Sequence, residues 1–156
     1  MKILVTFYSR TGTTKKVGEM IAEKLNAQVE EIKDTVNRKG IKGYLISGRD
    51  AIKKKLTKLE PVTQNPANFD LVVVGTPVWG GNMSVPVRTY LTENKDRFKN
   101  VAFFCTMGGS KEGKVFSEME EVIEKGSRTT LALRTREVVK EEFLEKVEKF
   151  VVEINN

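Results

Sequence analysis

Apolar residues along this chain fall into short unbroken runs separated by longer stretches in which they recur every three or four positions. Ile3 to Phe7, Leu71 to Gly75 and Val101 to Cys105 are runs rich in β-branched or aromatic residues. Runs of that kind predict strands buried on both faces, as in a parallel sheet. Ala27 to Ile32 and Thr129 to Leu133 are weaker strand candidates. Between the runs lie amphipathic patterns that predict helices over Thr14–Leu25, Tyr44–Leu56, Val85–Thr92, Lys114–Glu124 and Lys140–Ile154. In the first, Val17, Ile21 and Leu25 share a face; in the last, Phe143, Val147, Phe150 and Val151 do. Strand followed by helix occurs five times. Because each crossover must be right-handed and cover the sheet, the pattern predicts an α/β fold: a doubly wound, five-stranded parallel sheet with helices on both faces. No repeat, low-complexity tract or linker interrupts it, so residues 1–156 read as a single domain. Asp34 to Gly43 is the longest segment without a period.

Ligands of such sheets bind outside the carboxyl ends of the strands, where the strand order reverses. The loops after strands one, three and four are therefore the ones that bear on chemistry. The first, Ser9-Arg10-Thr11-Gly12-Thr13-Thr14, puts four hydroxyls and a glycine at the start of a helix. Backbone N–H groups at a helix start favour negative charge, hydroxyls donate to anion oxygens, and Gly12 lets the backbone approach closely. This is a cup for a phosphomonoester; the alternative is a Ser/Thr helix cap with an incidental glycine. The Walker spacing G-x-x-x-x-G-K-[ST] is absent.

The second loop, Thr76-Pro77-Val78-Trp79-Gly80-Gly81-Asn82, holds the only tryptophan, placed to stack on a flat ring at the rim of the sheet. The alternative is an apolar lid packed on its own domain. In the third loop, Thr106-Met107-Gly108-Gly109-Ser110-Lys111, the glycines expose backbone and Met107 offers an adaptable wall. Cys105 lacks the C-x5-R context of a phosphatase nucleophile and reads as a buried strand end.

Composition narrows the chemistry further. A chain of 156 residues can bury roughly 70% of its unfolded surface, so it needs no disulfide or metal to fold. There is no histidine, which excludes Ser-His-Asp triads, and one cysteine, which excludes an internal disulfide and thiol metal clusters. The lone thiol, the lack of an apolar span and a start that runs directly into a strand predict a cytoplasmic protein without membrane insertion. The net charge of +6 is uneven: Lys33 to Lys58 holds nine Lys/Arg against two Asp, a local +7, which leaves −1 elsewhere. That patch, with Arg38-Lys39, Lys42, Arg49 and Lys53-Lys54-Lys55, reads either as a solvated face or as a docking surface. Interleaved aromatics and known motifs are lacking, so nucleic acid is not expected.

The three loops together resemble the flavodoxin family along essentially the whole chain: S-x-T-G-x-T at Ser9 to Thr14, T-P-V-W-G-G at Thr76 to Gly81, and Gly-Gly-Ser at Gly108 to Ser110. The resemblance implies the strand order 2-1-3-4-5 with FMN at the switch between strands one and three. It implies that Ser9, Thr11, Gly12, Thr13 and Thr14 bind the FMN phosphate with Arg10 at the edge. Trp79 would flank the isoalloxazine, and Pro77, Val78, Gly80, Gly81 and Asn82 would shape its reactive edge. Thr106, Met107, Gly108, Gly109, Ser110 and Lys111 would line the pyrimidine side and ribityl chain. The third loop departs from well-known flavodoxins in having no tyrosine for the ring's other face.

With no acid–base pair in these loops, the chemistry would be the flavin's and the protein would tune it. A backbone carbonyl of the Gly80-Gly81 turn, free to reach positive φ, would rotate toward the ring once the flavin takes an electron. The reading is an electron carrier between redox partners. Its positive charge suits an acidic partner surface, in contrast to the acidic carriers common in the family. One alternative is an FMN-dependent NAD(P)H:quinone-type oxidoreductase; another is a flavin-free interaction module. Response regulators share the fold, but Tyr8-Ser9-Arg10 and Gly75-Thr76 stand where they need acids.

Overall fold

In the computed structural model, which describes residues 1–109 and 112–156, the first apolar run forms strand β1 (Ile3–Phe7) and leads into helix α1 (Thr13–Leu25). Strand β2 (Gln28–Glu31), helix α2 (Gly40–Ile52), strand β3 (Leu71–Trp79) and the two-residue strand β4 (Asn82–Met83) follow. Helix α3 (Val85–Asn94), strand β5 (Val101–Met107), helix α4 (Val115–Ile123), strand β6 (Thr130–Arg134) and helices α5 (Thr135–Val139) and α6 (Leu144–Asn155) complete the chain. The sheet order is β2-β1-β3-β5-β6 with every neighbour parallel, and β4 turns back antiparallel on the end of β3. Counting the parallel strands alone, this is the order 2-1-3-4-5 with its switch between β1 and β3.

Alternation along the strands splits the interior into two layers. Ile3, Val5 and Phe7 of β1, Leu71 and Val73 of β3 and Phe104 of β5 pack on α1 and α6 through Val17, Ile21, Val147, Phe150 and Ile154. Leu4, Val72, Val74 and Phe103 face the other way, against Val87, Tyr90 and Leu91 of α3 and Met119 and Ile123 of α4. Register places Phe7, Gly75 and Phe104 side by side across three strands. A Cβ at Gly75 would stand 2.0 Å from the Phe104 ring, so only glycine leaves that ring its place.

Three elements differ from the sequence expectation. The 76–82 loop is largely strand: β3 runs on through Trp79 and folds back into β4 over the two-residue turn Gly80-Gly81. Both glycines have positive φ, +55° and +76°, as a primed hairpin turn requires. The expected helix over Lys140–Ile154 starts only at Leu144, as α6, because at 140–143 Glu141 has φ +60° and Phe143 turns into the core; the short helix α5 before it was not expected. Helix α2 begins and ends four residues before the expected bounds, and its polarity is reversed. Gly43, Ser47, Asp50 and Ala51 face inward, while Ile41, Tyr44, Leu45 and Ile52 face outward. The reversal has a physical cause in Arg38, which lies buried beneath the helix and takes Ser47 and Asp50 as partners. Among the described residues no helix is long and apolar enough to cross a membrane, and no group of His, Cys, Asp and Glu is placed to hold a metal ion.

Candidate functional site

The phosphate-type loop owes its shape to Gly12. With φ +99° it caps α1, and its N–H donates to Ser9 Oγ at 3.0 Å. No side chain caps the helix, and no acid lies in its first turn. The N–H groups of Thr13, Thr14 and Lys15, beyond the reach of any intrahelical carbonyl, therefore stand with the hydroxyls of Thr11, Thr13 and Thr14 at the positive end of a 13-residue helix. Thr14 and Thr106 hydroxyls meet at 2.8 Å in the interior, tying this loop to the end of β5. That donor set, neutral hydroxyls and free N–H groups with Arg10 beside them, fits a phosphomonoester.

The topology gathers the loops into one groove of about 230 Å³. Arg10, Thr11, Thr13 and Thr14 line it from the first loop, Pro77, Val78 and Trp79 from the second, and Thr106, Met107 and Gly108 from the third. Polar groups lie at the α1 end and apolar ones around Pro77, Val78, Trp79 and Met107. Other expected residues are placed elsewhere. Ser9 lines a separate polar cleft with Glu31, Lys33 and Lys39. Gly81 and Asn82 belong to the hairpin, where the Asn82 amide donates to the Gly80 carbonyl at 2.8 Å. Gly80 lines a neighbouring groove instead. Gly109 is exposed and outside the groove lining, and Ser110 and Lys111 lie outside the described residues.

Trp79 is not the open platform expected of a rim loop, being only 8% exposed. Tyr8 meets its ring edge-on, with centroids 5.5 Å apart, and the Arg38 guanidinium lies 5.6 Å from the ring centre. Arg38 is itself 4% exposed; its Nε donates to Asp34 Oδ2 at 2.6 Å and its Nη1 to Asp50 and Ser47 at 3.4 Å. It is therefore an internal counter-ion rather than part of a surface patch, as the run Arg38-Lys39 had suggested. Arg10 donates to the Arg38 carbonyl at 3.3 Å and lies 5.4 Å from the centre of the Tyr44 ring. Burial and the nearby Asp34 push the Tyr8 phenol up to about 12, so it stays a neutral hydroxyl beside the indole.

A scan against family models matches residues 2–150 to the family described as flavodoxin. The chain belongs to the flavodoxin family. Among solved structures, a flavoprotein from Lactobacillus acidophilus NCFM in complex with FMN is 27% identical with a TM-score of 0.73, over 89% of this chain and 97% of that one. Oxidised flavodoxin 2 from Bacillus cereus shares 16% identity at a TM-score of 0.60, over 98% and 97% of the two chains. A flavodoxin from the domain Archaea shares 18% at a TM-score of 0.53, over 95% and 99%. The latter two likenesses show the fold. No curated protein sequence matches significantly.

Within this flavodoxin frame, three groove or support residues escaped sequence reasoning. Tyr44 lines the groove from α2 and supplies an aromatic ring that the third loop lacks. The expected helix over Tyr44–Leu56 starts at this residue, and nothing local shows which way its apolar face turns. Thr135 joins from the start of α5. Arg38 had no distinguishing signal, since it sits in a basic run where only tertiary contacts separate it from its neighbours.

Proposed function

We propose that this flavodoxin-family chain binds FMN in the groove at the carboxyl ends of β1, β3 and β5 and carries electrons between redox partners. The observation that carries this reading is the start of α1, without a side-chain cap, ringed by hydroxyls, joined to the end of β5 through Thr14 and Thr106 and sharing one groove with the end of β3. Thr11, Thr13 and Thr14 would hold the phosphate, with Arg10 countering its charge. Pro77, Val78, Met107 and Gly108 would enclose the ring, with Tyr44 and Trp79 as its aromatic neighbours. Bound FMN supplies one- and two-electron redox chemistry, which the protein tunes. At the hairpin, the Asn82 amide holds the Gly80 carbonyl, so any rotation of that peptide starts from a bonded position.

The partner this surface favours is acidic, because Lys39, Lys42, Arg49 and Lys53 are exposed on and next to α2, the helix whose Tyr44 lines the groove. The lone buried thiol suits a reducing compartment such as the cytoplasm. A second reading, an oxidoreductase that passes electrons to a small molecule such as a quinone, draws support from the apolar groove that adjoins this one. The test is the visible spectrum of the purified chain with and without FMN, followed by anaerobic stepwise reduction. Stoichiometric FMN binding with two resolved one-electron stages supports the carrier. Direct two-electron bleaching supports the oxidoreductase, and no FMN binding refutes both.

A further inference from the structure

Helix α2 turns four large apolar side chains to solvent: Ile41, Tyr44, Leu45 and Ile52 are between 62% and 83% exposed. Between this face and the β3–β4 hairpin runs a groove of about 480 Å³, within the roughly 300–1,000 Å³ typical of small-molecule sites. Its walls are apolar, with Tyr44, Leu45 and Ile52 on the helix side and Val78 and Trp79 on the strand side, so that one aromatic ring stands on each. Tyr44, Val78 and Trp79 also line the candidate FMN groove, so the two spaces share a wall.

Glycines form its floor. Gly48 sits in the middle of a 13-residue helix, where glycine is the poorest former after proline, yet a Cβ there would meet nothing within 4 Å. No packing constraint accounts for it; its effect is to keep the groove free of a side chain. Gly80 faces it closely, since a Cβ at Gly80 would stand 3.6 Å from the Gly48 carbonyl and 2.7 Å from Ile52. Arg49, with a side chain 56% exposed, is the one charged residue among the described residues of the lining; its Nε and Nη2 donate to Asp50 Oδ1 at 3.2 and 3.1 Å, outside the lining, and its Nη1 makes no ion pair among the described residues. A second copy of the chain is a poor occupant: an isologous contact through α2 would set the same cationic rims, with Arg49, Lys42 and Lys53, against each other.

We propose that this groove is a second binding site, adjoining the candidate FMN site, for a planar apolar ring system that carries one anionic group. Apolar walls would take the ring and Arg49 the anion. The site is complete without FMN, so it stands or falls separately from the function proposed above.

Isothermal titration of the full chain with anthraquinone-2-sulfonate, FMN-free and FMN-saturated, tests it. We expect saturable one-to-one binding in both states, with quenching of the emission of Trp79, the only tryptophan, in the FMN-free chain. G48L should weaken binding at least tenfold while leaving FMN titration unchanged and the melting temperature equal or higher. R49Q should weaken it several-fold, with only a small drop in melting temperature, because Asp50 loses Arg49 but keeps Arg38 and Lys55. G48A, with only a methyl group added, should retain most of the affinity and confirms the fold. The proposal is overturned by the absence of saturable binding, by equal binding to G48L, or by loss of binding on FMN saturation, which would make the groove the flavin's own ring seat. A concentration-dependent dimer that excludes the sulfonate would also overturn it. Failure to bind FMN with intact sulfonate binding would refute the electron carrier and leave this site standing.

Discussion

Replacing Arg38 by methionine tests the internal support of Trp79. Methionine keeps much of the stem's packing but removes the guanidinium, leaving Asp34, whose side chain is 2% exposed, without its cation. Breaking a buried ion pair by deleting one partner costs about 3–5 kcal/mol. The lower end applies, because Asp34 keeps the Thr57 hydroxyl at 2.7 Å and the Val36 N–H at 3.0 Å, while Asp50 keeps Arg49 at 3.1 Å and Lys55 at 3.5 Å. A loss of about 3 kcal/mol in a chain of this size lowers the melting temperature by roughly 6–12 °C. The indole also loses its cation contact, so the single-tryptophan emission should shift, and FMN affinity should fall as the groove wall loosens. Adding D34N removes the unpaired charge while keeping an acceptor for Thr57 and Val36, and about half the loss should return. A melting temperature within 2 °C of wild type, or strictly additive effects in the R38M/D34N cycle, would refute the account.

G75A should destabilise by about 1–3 kcal/mol, because the methyl group meets the Phe104 ring at 2.0 Å; chemical denaturation should show partial rescue by F104L in the double mutant. Cys105, fully buried and pushed up to about 12 chiefly by that burial, should resist iodoacetamide at neutral pH in the native state and react on unfolding. Glu137 is held below the usual carboxylate range by Lys146 and by the Arg134 N–H, which donates to it at 2.8 Å. Its folded pKa lies below the unfolded one, so its contribution is fully present above about pH 4.3 and is lost as pH falls through the folded value. E137Q should therefore melt lower than wild type at pH 7, by about 1 kcal/mol, and the gap should close on acidification; a gap independent of pH would contradict this.

The alternation of strand and helix was legible because buried parallel strands need unbroken apolar runs and their covering helices need one apolar face. Ile3–Phe7, Leu71–Gly75 and Val101–Cys105 fall on β1, β3 and β5, and even the weak Thr129–Leu133 pattern falls on β6. The hydroxyl loop at Ser9 to Thr14 was legible too, since glycine and short polar residues before a helix have a local meaning that survives folding. The extension of β3 through Trp79 depended on pairing with β4, and the break before α6 on Phe143 turning inward.

Helix α2 shows where sequence reading stops. Periodicity pointed to an amphipathic helix here, four residues late, but a periodic pattern states only that one face differs from the other; which face meets the protein depends on what lies beneath. Here that is Arg38, whose buried charge draws Ser47 and Asp50 inward and sends Tyr44, Leu45 and Ile52 out beside Trp79. By itself the sequence determined the sheet, its switch point and the hydroxyl- and glycine-bearing turn into α1, because those follow from local pattern and chain connectivity. Only the tertiary structure decided the second groove and the aromatic partner of Trp79's neighbourhood, because both arise from satisfying one buried cation with residues nine and twelve positions away.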